Sequence, residues 1–236
     1  MQPIQINHKQ VKMVAHRGAG KVWVENSLPA FQNAAKCSYW GIETDIHCTK
    51  DGKFILIHDD NTERVTGQSY VVEETDYETL RNLHLLGLEG DEARLPTLEE
   101  YITVCKGGAK YAVLELKNRM PIAEIEKIIQ AIEEMDYLHH TVFISFSLDN
   151  LCDVLTLRPN HPVQYLIKRT NTAENIRRAQ EIPMDIDIDR RALDIETIEA
   201  MHAHGVKVNV WTVNEQEEAE RLIAAGVDYI TTDIFE

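Results

Sequence analysis

Eight short apolar runs, most of them separated by stretches of helical character, constrain this 236-residue chain more than any other feature. The runs are Val11–His16, Ile42–Ile46, Tyr111–Lys117, Val142–Phe146, Val163–Ile167, Met184–Asp189, Val206–Val213 and Asp228–Thr232. Strands that alternate with helices predict a parallel sheet with helical crossovers. Between the runs, Pro121–Tyr137 carries Ile122, Ile125, Ile129 and Ile132 at the spacing of one buried helix face. Thr97-Leu98-Glu99-Glu100 reads as a capping box, Asn214-Glu215-Gln216-Glu217 resembles one, and Gly107, Gly205 and Gly226 fall where helices should stop. Eight such units closing on themselves form a TIM (β/α)₈ barrel, expected here as a single domain over 1–236. An open doubly wound sheet is the competing architecture.

One run breaks the count. Lys53–His58 follows the second strand after only Asp51-Gly52, a strong hairpin signal, so it should pair antiparallel as an excursion from the barrel. A two-residue loop would set Asp45 opposite His58, and a four-residue loop would set Glu43 there. Either register puts His58 on the face of those acids. The following segment, 59–96, lacks a strong period and is expected to be an insertion over one barrel mouth, as a substrate cap or an ordinary long connection.

Charge and composition narrow the class. The chain is 44% hydrophobic, enough for a substantial core, and carries 24 Lys+Arg against 39 Asp+Glu, a formal charge of −15. Nucleic acid and anionic membranes need a basic surface, so neither is an expected partner. Stable membrane insertion is not expected either, because no uncharged apolar stretch is long enough to span a bilayer. Four scattered cysteines without CxxC spacing read as small buried hydrophobes in a reducing compartment, and the expected location is the cytoplasm.

In such a barrel, chemistry is carried at the carboxyl ends of the strands. His16-Arg17-Gly18 closes the first run, although a capping His beside a surface Arg would also account for that triplet. Glu43 and Asp45 lie two apart on the second, and Glu115 and Lys117 on the third, so each pair shares a face. Three carboxylates converging there repel; two unit charges about 4 Å apart cost about 4 kcal/mol at an effective dielectric near 20. A divalent cation held by Glu43, Asp45 and Glu115 would offset this, and hard oxygen donors suit Mg²⁺ or Ca²⁺. The alternative is a buried ion-pair network with Lys117 and Arg17. His16 and His58 would then divide the proton traffic of a displacement, while the planar fork of Arg17 suits a phosphate oxygen. Trp211 closes the seventh run, where an aromatic can wall off the organic part of a ligand. The other eight histidines are expected to be exposed or structural.

With those residues in view, the chain resembles the glycerophosphodiester phosphodiesterase family over nearly its whole length. The resemblance rests on His16-Arg17-Gly18, Glu25-Asn26-Ser27, Glu43-Thr44-Asp45, Thr49-Lys50-Asp51-Gly52, His58-Asp59, Leu95–Glu100, Glu115-Leu116-Lys117, Ser145-Phe146, Trp211–Asn214, Gly226-Val227-Asp228 and Thr232-Asp233, in that order. It implies a barrel with a small insertion after the hairpin. It also implies hydrolysis of a small-molecule glycerophosphodiester to glycerol 3-phosphate and an alcohol such as choline or ethanolamine, in lipid and glycerol metabolism. On the matching positions, Glu43, Asp45 and Glu115 look like metal ligands, His16 and His58 like the acid/base pair, and Arg17 and Lys117 like phosphate contacts. The family usually has Pro-Glu-Asn-Thr where this chain has Val24-Glu25-Asn26-Ser27; Ser keeps the capping hydroxyl. Two other activities fit the same barrel: a Schiff-base lyase with Lys117 as nucleophile, and a lysophospholipase D-type relative.

Overall fold

Every one of the eight runs forms a strand. The computed structural model describes residues 2–168 and 172–236. The strands are β1 (Lys12–Ala15), β2 (Gly41–Cys48), β3 (Phe54–Leu56), β4 (Tyr111–Leu116), β5 (Thr141–Ser145), β6 (Val163–Ile167), β7 (Asp185–Asp189), β8 (Val208–Trp211) and β9 (Tyr229–Thr232). All but β3 pair in parallel with their neighbours, and β1 pairs with both β2 and β9, closing an eight-stranded barrel. Helices lie between the strands, so the fold is the (β/α)₈ barrel and not the open sheet.

Period-two alternation divides the side chains between two cores. On β2, Ile42 and Ile46 face the helix layer, as do Leu114 and Leu116 on β4 and Ile186 and Ile188 on β7. The opposite faces line the lumen, where Val14, Val113, Val142, Ile144 and Leu166 form a smaller apolar plug. That parity turns Glu43, Asp45 and Glu115 into the barrel.

The hairpin exists, but neither expected register is correct. β3 pairs antiparallel with Ile46 opposite Leu56 and Cys48 opposite Phe54, so Asp51-Gly52 belongs to a three-residue loop. Thr49 makes this loop: its amide donates to the Lys53 carbonyl (2.8 Å), and its hydroxyl accepts from the Lys53 amide (3.1 Å). Gly52 sits at φ +72°, the left-handed third position that such loops require. The Ile57 amide then bonds the Asp45 carbonyl, so strand parity would carry His58 to the face opposite Asp45. His58 reaches the acids because the strand ends at Leu56 and the chain bends after it.

Within 59–96 the chain forms two short helices, Glu63–Thr66 and Tyr77–Arg81, and 3₁₀ turns at Val72–Glu74 and Gly90–Ala93. Ile55 and Ile57 pack there against Val72, Leu80, Leu83, Leu85 and Leu95 as a small core of their own. The Thr97 capping box is present in full. The one expected at Asn214 is not: Glu215 is the N-cap without a side-chain bond, because Asn214 is engaged elsewhere.

Candidate active site

His16 leaves β1 directly into a 3₁₀ turn, His16–Gly18, which swings its ring over the end of the strand. Arg17 in that turn has φ +51°, and its backbone amide donates to Glu43 Oε2 (2.8 Å). Gly18 (φ +75°) is obligatory: a Cβ there would stand 3.0 Å from Ala30 Cβ and Phe31 Cδ1. A side-chain residue at position 18 would push the helix Leu28–Lys36 away and misplace both neighbours. Ser27 caps that helix, accepting from the Ala30 amide (3.2 Å).

Glu43, Asp45 and Glu115 are buried, and one oxygen of each lies within 4.8 Å of the others. Register explains their meeting, since Asp45 is level with Glu115 across the β2–β4 pair. Asn26 donates to Asp45 Oδ2 (2.8 Å) and accepts from Thr44 (2.7 Å). Among the described residues Asp45 Oδ1 has no hydrogen-bond partner; Lys117 Nζ is 3.5 Å away, and 3.0 Å from Glu115 Oε1. Burial, reinforced by the Asp45 and Glu115 charges, pushes the Glu43 carboxyl well above the usual carboxylate range. Burial and the Asp45 charge push Glu115 up to about 8. Burial also opposes ionisation of Asp45, but Lys117, His58 and Arg17 outweigh it and hold that group below its ordinary range. Three acids are thus crowded where one ionises readily, with an oxygen left unbonded among them. This hard-oxygen set fits a divalent cation, whose charge would let all three ionise.

Lys117 bears on the lyase alternative. Burial works to lower its pKa, yet Asp45 and Glu115 more than reverse this and hold the ammonium form. A Schiff-base lysine needs the opposite shift.

Both imidazoles are braced by carboxylates at Nδ1. His16 Nδ1 is 2.8 Å from Asp233 Oδ1, whose other oxygen accepts from Asn214 (2.7 Å). His58 Nδ1 is 2.7 Å from Asp59 Oδ1. An ionised carboxylate only accepts, so each Nδ1 carries the proton and Nε2 is left to exchange one. Asp59 is held in turn by Arg64 (2.5 Å), which also forks onto Glu25 (2.6 and 2.9 Å); Glu25 accepts from Arg17 (3.1 Å). One chain of charges therefore links His58, the segment 59–96 and Arg17. Behind it the fully buried His47, which shares strand parity with Glu43 and Asp45, sits 3.4 Å from Glu73 and 3.5 Å from the His58 carbonyl, outside the lining of the cleft.

A single cleft is lined by His16, Arg17, Glu43, His58 and Glu115 on one side, and by Ile144, Phe146, Leu166 and Trp211 on the other. Trp211 meets Phe146 edge-on, with ring centroids 5.7 Å apart. All the residues singled out in the sequence thus gather at one barrel mouth, with Asp45 and Lys117 just beneath the lining. Sequence reasoning assigned no catalytic role to Asp233, Asp59, Arg64 or Glu25, although three of them stand in the motifs that carry the resemblance, and it read Asn214 as a helix cap. A carboxylate next to a strand-end His, as in His58-Asp59, and an acid at the end of the last strand were the available signals.

Known proteins resemble the chain over most of its length. Residues 16–236 fit the model of the glycerophosphoryl diester phosphodiesterase family. The chain is 31% identical over 233 residues to a glycerophosphodiester phosphodiesterase of Caldanaerobacter subterraneus subsp. tengcongensis, covering 94% of this chain and 93% of the relative. A glycerophosphodiester phosphodiesterase structure from Parabacteroides distasonis superposes with a TM-score of 0.80 at 26% identity, covering 95% and 93%. A phosphodiesterase of Oleispira antarctica, solved with the product sn-glycerol-3-phosphate, shares the fold with a TM-score of 0.83 at 24% identity, covering 98% and 96%.

Proposed function

This chain belongs to the glycerophosphodiester phosphodiesterase family and is a phosphoric diester hydrolase; we propose that it cleaves glycerophosphodiesters to glycerol 3-phosphate and an alcohol, using a divalent cation and two histidines. The observation that carries this reading is the convergence of Glu43, Asp45 and Glu115 within 4.8 Å, in a cleft that His16 and His58 also line. Glu43, Asp45 and Glu115 would hold the cation, Mg²⁺ or Ca²⁺. When bound, it would neutralise phosphoryl charge and act as a Lewis acid.

The protein's own groups do the rest. Arg17 presents a partly solvated guanidinium, and Lys117 an ammonium, to the phosphate oxygens. His16 and His58 act through Nε2: one takes the proton of the attacking oxygen, and the other returns a proton to the leaving alkoxide. Asp233 and Asp59 fix the rings and favour the imidazolium that forms in the transition state. Segment 59–96 serves as a cap, since Arg64 ties it to Glu25 and also holds Asp59, the partner of His58. Trp211 and Phe146 shield the organic part of the substrate. Four unpaired cysteines support work in a reducing, cytoplasmic setting, within lipid and glycerol metabolism.

The test incubates the purified protein with glycerophosphocholine and glycerophosphoethanolamine, with and without EDTA, then restores Mg²⁺ or Ca²⁺. Release of glycerol 3-phosphate that is lost in chelator and recovered with cation is the expected result. Full turnover in EDTA, or no release with either substrate, refutes the reading.

A further inference from the structure

Strand β7 reads Asp185-Ile186-Asp187-Ile188-Asp189, and its two isoleucines face the helix layer, which turns the three acids to the lumen. Two of the three have evident work. Asp185 accepts from the Lys207 amide (3.0 Å), and Asp189 caps the turn after the strand and pairs with Arg191 (2.5 Å). Asp187, between them, is 1% exposed, and its Oδ1 has no hydrogen-bond partner among the described residues. Its polar neighbours are occupied with one another. Asn209, level with it on β8, donates to Gln164 on β6 (3.0 Å) and accepts from Thr231 on β9 (3.2 Å). Buried polar atoms are nearly always paired, so an unpaired one lining a cleft marks a place where a ligand completes the bonding.

Asp187 lines the same cleft as His16, Arg17, Glu43, His58 and Glu115. In the ring of eight strands, β7 stands directly across from β2. The wall between them is apolar on the β5–β6 side, with Ile144 and Leu166, and mixed on the other, where Trp211 stands with Thr212 and Thr231. Among the described lining residues Asp187 is the one carboxyl in that half of the cleft. Burial, with the Glu115 charge adding to it, shifts the Asp187 carboxyl well above its ordinary range, toward the neutral acid that donates one hydrogen bond and accepts another.

We propose that the Asp187 carboxyl binds the glycerol hydroxyl farther from phosphorus, making it a specificity-determining residue for the glycerol side of the diester. The proposal rests on the function given above. With phosphate held on the Arg17 side, the three-carbon chain crosses toward β7. Its CH groups meet Leu166 and Trp211, and the terminal hydroxyl is the atom that needs a polar partner. An ammonium head group suits this end poorly, because Lys168 Nζ already lies 4.9 Å from the Phe146 ring centroid on the same side.

The experiment compares glycerophosphocholine with 2-hydroxypropyl phosphocholine, which lacks only the terminal hydroxyl and keeps the one next to phosphate. Both are assayed with the cation-loaded wild type, Asp187→Leu and Asp187→Asn. Wild type is expected to favour glycerophosphocholine in kcat/KM by about 10- to 100-fold, the usual discrimination of a buried hydrogen bond. Asp187→Leu should cut that preference below about threefold, while Asp187→Asn, which still donates and accepts, keeps part of it. The Leu variant should also melt at least about 2 °C higher, because an apolar side chain of similar size replaces an unpaired polar one. If Leu impairs folding, the Asn variant carries the test, and it must lose at least about threefold of the preference. An unchanged preference in the variants, an equal loss on both substrates, or an indifferent wild type overturns the proposal. A wild type that hydrolyses neither substrate instead overturns the parent reading, and this one with it.

Discussion

Replacing Asp233 by Asn isolates the brace on His16. One Asp233 oxygen faces His16 Nδ1 at 2.8 Å and the other accepts from Asn214 Nδ2 at 2.7 Å. An amide has one acceptor where the carboxylate has two. If its oxygen stays on His16, its NH₂ confronts the Asn214 NH₂. If it flips, it donates to His16 Nδ1, which drives the ring proton to Nε2 and removes the lone pair that catalysis needs. The first outcome forfeits a charge-assisted bond of about 1.5–3 kcal/mol, and the second adds a tautomer penalty. A combined loss of about 2–4 kcal/mol lowers kcat/KM by about 30- to 1,000-fold. The loss should fall on kcat, with KM moving less than about threefold, because His16 acts on the transition state. The assay is glycerol 3-phosphate release from glycerophosphocholine at saturating cation, well below the melting temperature, with circular dichroism confirming the fold. A variant within threefold of wild type, or one altered in KM alone, would show that Asp233 does not brace His16 for catalysis.

Two other predictions concern stability and the cap. Burial is the largest influence on His47, His58 and His161, and each has a folded pKa below its ordinary value. The unfolded chain therefore binds more protons near neutrality, so their contribution is fully present above about pH 6.5 and is lost as pH falls through the folded values. Melting followed from pH 7.5 to pH 5 should show a declining Tm, shallower in His161→Gln; a flat profile contradicts the assignment. Arg64→Ala cuts the fork that joins Asp59 to Glu25. Arg64 is about half exposed, so the loss should be modest, about two- to fivefold in kcat/KM, with partial recovery in Arg64→Lys. Faster amide exchange confined to 59–96 would accompany it, and unchanged kinetics would separate that segment from catalysis.

How far the sequence speaks depends on the length scale of the signal. The strands were legible because each is a run of β-branched and aliphatic residues with period two, and because parity alone sends Glu43, Asp45 and Glu115 inward between Ile42, Ile46, Leu114 and Leu116. The hairpin register was not legible. Asp51-Gly52 marks a turn, but the loop length was decided by the Thr49 hydroxyl, a side-chain bond that periodicity cannot register. His58 nonetheless reaches the cleft through a bend after β3 and not through strand parity. The helices of 59–96 escaped because four- and five-residue elements are shorter than the window in which a helical period emerges. Asn214 read as a cap but is drawn instead to Thr232, at the end of the next strand, and to Asp233 just after it. Asp187 was hidden for a related reason: Asp185, Asp187 and Asp189 share one parity, and only depth in the barrel distinguishes the unpaired middle acid.

The claim that three buried acids form one cation site is tested most directly by anomalous diffraction from a crystal soaked in Mn²⁺. A single strong peak is expected about 2.0–2.6 Å from an oxygen of each of Glu43, Asp45 and Glu115, the range of hard-cation bonds. A cleft with no peak, in which Lys117 Nζ alone bridges Asp45 and Glu115, would contradict the claim.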